Sequence, residues 1–201
     1  MARPFSSTDA KRIIERHQNI IEKLNNAVSS VEKYRTKAKE ASDALVAQEV
    51  LKVLADIPIE EINRDKRGIR VKALRDYGYR TIADISTASV YSIASVHGIS
   101  EDAAYSIKSI VNDIVSKARQ GVKIRLSTDN RSREATALVL ALSQYRRSQK
   151  VADECRQLLN KNKQTIDYAV EDLNSSTGTL KWLFASKTKK QKAMDAYNSL
   201  I

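Results

Sequence analysis

The sequence has little of what breaks or staples a chain. Five glycines and two prolines in 201 residues leave long stretches with neither, and Pro4 and Pro58 both lie outside the periodic segments. That scarcity predicts a mostly helical protein. A single cysteine, Cys155, excludes an internal disulfide and points to a reducing, cytoplasmic setting. No apolar run approaches the roughly 20 residues of a spanning helix. The opening MARPFSSTDAKR lacks the apolar centre of a signal peptide, so no membrane partner is expected. Enzyme signatures are missing as well. There is no Gly-x-x-x-x-Gly-Lys loop, Gly-x-Gly-x-x-Gly, paired Cys, His-Glu-x-x-His or Gly-x-Ser-x-Gly. No catalytic residue, metal ligand, cofactor or small-molecule substrate is therefore expected of this chain, and pairs such as Glu60-Glu61 and Asp153-Glu154 read as solvated faces.

What is abundant is positive charge. Thirty-five Lys and Arg stand against 24 Asp and Glu, a balance of +11, and the last third of the chain carries the largest share. Such an excess suits a polyanion, nucleic acid before membrane, and also occurs on solvated helix faces.

Two segments are long enough to be helices of about 45 residues. From Thr8 to about Ala55 the positions 13, 17, 20, 24, 27, 31, 34, 38, 41, 45 and 48 keep an alternating four-three spacing, which is a heptad seam. Ile14, Ile21 and Val28 widen its first half, so more than one neighbouring helix is expected there. His17 falls on this seam, where a packed histidine is the simpler reading than a ligand. A second ladder, 135 to 173, has one wholly apolar line (Leu138, Tyr145, Ala152, Leu159, Ile166, Leu173) beside a mixed one. That pattern predicts a helix packed on one side and partly wet on the other. Cys155 flanks it as a small core residue. Val122–Leu126 alternates apolar and basic residues, as either a short strand or an extended connector. Asn174–Thr179 reads as a turn, followed by an apolar knot around Trp182 and a basic helix from Lys187. That helix ends with its apolar face unfinished, as in a piece of a longer protein.

The expected fold is all-α. The segments are a first stalk helix (8–55), a head (56–129), a second stalk helix (130–173) and a C-terminal part (174–201). The two ladders would pair as a long antiparallel coiled-coil stalk with the head at its tip, and the last helix would fold back on the stalk base. The alternative is a globular bundle in which both long helices are broken.

The head carries the motif. Ile93, Val96, Gly98, Ile99, Ser100 and Ala104 follow the pattern apolar-x-x-apolar-x-Gly-apolar-Ser-x-x-x-Ala. Gly98 suits a tight turn, and Ser100 an N-cap. The pattern resembles the helix-hairpin-helix, with Ser100 in place of the usual second glycine. A looser echo runs Leu74, Gly78, Thr81-Ile82, Asp84-Ile85. The pair is similar to the C-terminal domain of bacterial RNA polymerase alpha subunits and to the N-terminal domain of archaeal and eukaryotic recombinases. The segments Leu51–Ile85 and Leu180–Leu200 also resemble the region that precedes the motor in certain bacterial DEAD/DEAH-box-type helicases. That resemblance implies an accessory N-terminal region with the ATP chemistry downstream.

The hairpin resemblance implies binding to DNA through backbone phosphates. The candidate residues are Gly78, Tyr79, Arg80, His97, Gly98, Ile99 and Ser100 on the two turns, with Arg70, Arg75, Lys123 and Arg125 as flanking cations. Further basic residues, Arg64 to Lys72 and Lys117 to Arg133, are expected to return to the same end. Contacts to about three to five phosphates would give a log-log salt slope of about −3 to −4. Glu101 and Asp102 at the next helix start argue against a phosphate there. The competing reading is a protein-interaction spacer whose head docks on a partner subunit.

Overall fold

The computed structural model describes residues 5–127, 129 and 131–200. It is all-α, with no strand among the described residues and one isolated bridge between Pro58 and Thr81. The long helices are α1 (Ser7–Ala55) and α6 (Arg133–Ser176). Between them lie a 3-10 turn at Ile59–Asn63, α2 (Val71–Tyr77), α3 (Ile82–Thr87), α4 (Val90–Ala94) and α5 (Glu101–Gly121). Beyond α6 come α7 (Thr179–Phe184) and α8 (Lys187–Leu200). Neither long helix is broken, and α1 packs on α6. The chain divides into two compact units, Ala38–Leu140 and Met1–Lys37 with Ala141–Ile201. The division falls inside both long helices.

The unit Ala38–Leu140 has a core that no short helix could bury alone. Val50 and Leu54 of α1, Ile59 and Ile62, Leu74, Ile82 and Ile85, Ile93, Val96 and Ile99, and Ala104, Ile107 and Val111 of α5 form one cluster. Each of α2, α3 and α4 has five to seven residues, too short to persist in isolation. They hold by burying one or two side chains each and by their caps. Thr81 and Ser89 accept from the amides of Asp84 and Ser92 at the starts of α3 and α4. Lys108 reaches across from α5, and its ammonium donates to the carbonyls of Ile85, Ser86 and Ala88 at 3.2, 2.9 and 2.9 Å, closing the C-terminal end of α3. A smaller cluster joins Leu45 and Ala41 of α1 to Ala135 and Leu138 of α6 and to Ile124. Val122–Leu126 is therefore an extended connector, without a ladder partner.

In the other unit, Ala10 and Ile14 of α1 pack with Leu173 of α6 and with Ala196 and Tyr197 of α8. Phe5 stacks on Trp182 at 4.0 Å between ring centres and meets Tyr197 edge-on at 5.7 Å. Within this unit residues 10 and 14 lie beside 173, and residues 30, 34 and 37 line a groove with 144, 147 and 151, so its segments of α1 and α6 run antiparallel.

The ladders bury as their composition dictates. Leu138, Tyr145, Ala152, Leu159, Ile166 and Leu173 are all buried or half-buried, whereas Leu142, Gln149, Arg156 and Lys163 of the mixed line are exposed. His17 is half-buried, and its Nδ1 lies 2.9 Å from the Ile13 carbonyl oxygen. The Asn174–Thr179 turn starts later than expected, because α6 continues to Ser176. Leu173 and Ser176 are fully buried, and the Thr177 hydroxyl donates to the Leu173 carbonyl at 2.6 Å. Tertiary burial overrides the turn preference of these small polar residues, and the chain reverses only at Gly178, φ +118°.

Candidate functional site

The two turns of the head have the same outline and opposite hydrogen-bond states. In the first, Gly78 ends α2 at φ +119°. The Gly78 amide donates to the Arg75 carbonyl and the Tyr79 amide to the Leu74 carbonyl, both at 3.0 Å. The amides of Arg80 and Thr81 donate to Asp84 Oδ2 at 2.8 Å each, and the Asp84 amide returns to Thr81 Oγ1 at 3.3 Å. Ile82 donates to the Ile57 carbonyl. Every amide of this turn is thus used inside the protein, and a carboxylate already occupies the place a phosphate would take. Burial raises the Asp84 pKa, but the Arg80 and Thr81 amides, the Thr81 hydroxyl and the Arg80 charge more than offset this. The carboxyl is held below its ordinary value.

A depressed folded-state pKa means that Asp84 stabilises the fold above its unfolded pKa of about 3.9. That contribution is lost as pH falls through the folded value. Asp84→Ala is expected to cost about 1–2 kcal/mol at pH 7, the range of a lost N-cap. Melting curves of the two proteins should converge as the pH drops below about 4. A gap that persists at acid pH would mean that packing, not the charge, is what Asp84 supplies.

The second turn is open. Ile99 donates to the Val96 carbonyl, and Ala103 and Ala104 to Ser100. The amides of Gly98, Ser100, Glu101 and Asp102 have no partner among the described residues. They surround the start of α5, a 21-residue helix, where the macrodipole favours an anion. Gly98 sits at φ +84°, and a Cβ added there would lie 2.8 Å from Arg70 Nη1. The guanidinium therefore rests directly on the glycine. Arg70 arrives through the loop after Asn63, which turns at Gly68, φ +71°, and is pinned where the Ile69 amide donates to Asn63 Oδ1 at 3.3 Å. Among the described residues Arg70 has no carboxylate partner, whereas Arg67 pairs with Asp65 at 2.9 Å. Arg67, Arg70, Gly98, Ile99, Ser100 and Ser106 line a groove of about 440 Å³.

The remaining candidates are distributed otherwise. Arg75 is ion-paired with Glu60. Tyr79 is half-buried with its ring centre 5.4 Å from that of Tyr77, and burial, then Tyr77 and Asp84, raises its pKa. Arg80 and His97 are exposed. Lys123 and Arg125 follow the far end of α5, about 30 Å of helix from Gly98 at 1.5 Å per residue, beside Ile124 packed on Leu45. They do not join the hairpins, so the expectation that the 117–133 cations return to the same end is corrected. The helix length that separates them was already in the sequence. The expected repulsion from Glu101 and Asp102 also changes. Neither lines the groove, and Glu101 faces a second one with Tyr91 and Tyr105 on the other side of α5.

Arg67, expected only among the further basic residues, joins Arg70 through the turn at Gly68. Sequence reasoning missed the roles of two residues here. Asp84 closes the first hairpin, and its position three residues after Thr81 was the signal. Lys108 had no readable signal, since its carbonyl partners lie 20 to 23 residues away.

Comparison with protein-family models, with curated proteins and with solved structures finds no match to this chain. Among the described residues no helix is long and apolar enough to cross a membrane.

Proposed function

We propose that the head binds DNA through backbone phosphates, independently of sequence and without catalysis, in the groove between Arg70 and the start of α5. The carrying observation is the coincidence of an unpaired guanidinium with four unpartnered amides at one helix N-terminus. Backbone amides and Arg position a phosphate but read no base. The resemblance to helix-hairpin-helix domains, and to the region preceding a helicase motor, supports the same reading and makes this chain an accessory part beside an ATP-driven partner domain.

The test is fluorescence anisotropy of the full chain on a labelled duplex across a salt series. Binding that weakens with salt and is weakened further in Arg70→Glu is expected. Absence of binding at low salt would give first place to the competing protein-interaction spacer, which the cations of the connector and α8 also permit.

The pairing of α1 and α6 as a coiled-coil stalk carrying the head, with α8 folded back on the stalk base, belongs to the same proposal and rests on the buried or half-buried apolar line of α6 and on the contacts of α1 with α6 within each unit. Small-angle scattering of the full chain should then give a rod-like profile. A compact spherical one would sink it.

A further inference from the structure

We infer that the tyrosine face beside the phosphate groove stacks unpaired bases, so that the strand held there is single-stranded; this rests on the phosphate reading above. Four of the eight tyrosines of the chain gather here. Tyr91 is 84% exposed, Tyr105 57% and Tyr77 55%, values high enough that the rings serve no core. Tyr91 and Tyr105 line a groove of about 380 Å³ with Val90, Ala94, Ser95 and Glu101. The Tyr77 hydroxyl lies 3.4 Å from Ser95 Oγ, and Tyr79 backs Tyr77 from the half-buried side.

This groove and the phosphate groove flank the same first turns of α5. Ser100, Ala103 and Ser106 face one, and Glu101 and Tyr105 face the other. The charges sort the phosphates of a strand from its bases. The guanidinium and the amides attract phosphate on one side, whereas Glu101 repels it from the other and accepts hydrogen bonds from the N–H groups that every base carries. Exposed aromatic faces next to a cationic groove are the common means of holding single strands without sequence preference. In a duplex the bases are stacked on one another and cannot reach these rings, so only unpaired nucleotides engage both grooves.

Anisotropy of the full chain tests this with three ligands at low salt: a 20-nucleotide oligothymidine, the same length of abasic strand, and a 20-base-pair duplex. The oligothymidine should bind on the order of tenfold or more tighter than the abasic strand, a single base–aromatic stack being worth that much. Tyr91→Ala and Tyr105→Ala should each remove most of that preference, leave duplex affinity within about twofold, and melt as the parent does. Tyr91→Phe should retain the preference. Equal affinity for the oligothymidine and the abasic strand, or an unchanged preference in both alanine variants, would overturn the inference and leave the face to a protein partner. The phosphate reading fails separately, when Arg70→Glu leaves duplex and abasic binding intact. Absence of binding to all three ligands would end both.

Discussion

Arg70→Glu is expected to weaken duplex binding by on the order of 10–100-fold, the span that loss of a charge-assisted hydrogen bond of about 1.5–3 kcal/mol produces. The carboxylate would also face the open amides of the α5 N-terminus and fill them, as Asp84 fills those of the first turn. Arg80→Glu should change affinity by less than about threefold through long-range charge alone, because the Arg80 amide is already committed to Asp84 and its side chain is exposed on the closed hairpin. The closed hairpin also lowers the expected salt slope. One groove, with Arg70 and with Arg67 drawn off its exposed pair with Asp65, neutralises about two phosphates, for a slope near −2 at about −0.9 per phosphate, not the −3 to −4 that two working hairpins would give. Equal losses from the two substitutions, or a slope near −4, would restore the two-hairpin picture.

Gly98→Val should damage both stability and binding. The φ of +84° is the left-handed region, costly for a β-branched residue by on the order of 1–3 kcal/mol. For a chain of this size each kcal/mol lowers Tm by roughly 2–4 °C. The new side chain must also displace the Arg70 guanidinium, which lies 2.8 Å from the Cβ position. Binding should therefore fall about as far as in Arg70→Glu even at temperatures where the variant is folded. Gly98→Asn separates the two effects, since Asn tolerates positive φ yet still crowds Arg70. It should melt closer to the parent and bind as poorly as the valine variant. Full binding by Gly98→Asn would mean that Arg70 does not need its place on the glycine.

The helices and the turns were largely legible in the sequence, because both depend on local chemistry. The ladder of α1 is written in its spacing, and Ser100, Thr81, Gly78 and Gly98 mark ends that need particular side chains or backbone angles. The candidate site was legible only in part. Ile99 and Ser100 stand on the groove because the hairpin is a local object. Arg70 was named as a flanking cation, but that it rests on Gly98, 28 positions later, is decided by the loop at Gly68 and by burial of Ile69. The state of each hairpin hinged on one carboxylate. Asp84 at the third position of α3 turns inward to the amides of its own turn, while Glu101 at the first position of α5 faces away. Charge counting treats both as repulsive. The direction of each side chain decides whether an amide is taken or free.

The open amides of the second turn carry the whole account, and amide proton–nitrogen NMR of the full chain reads them individually. On titration with a short duplex at low salt, the amide resonances of Gly98, Ser100, Glu101 and Asp102 should shift and saturate together, while those of Arg80 and Thr81, already bonded to Asp84, stay in place. Unmoved resonances at 98–102, or equal shifts in both turns, would contradict it.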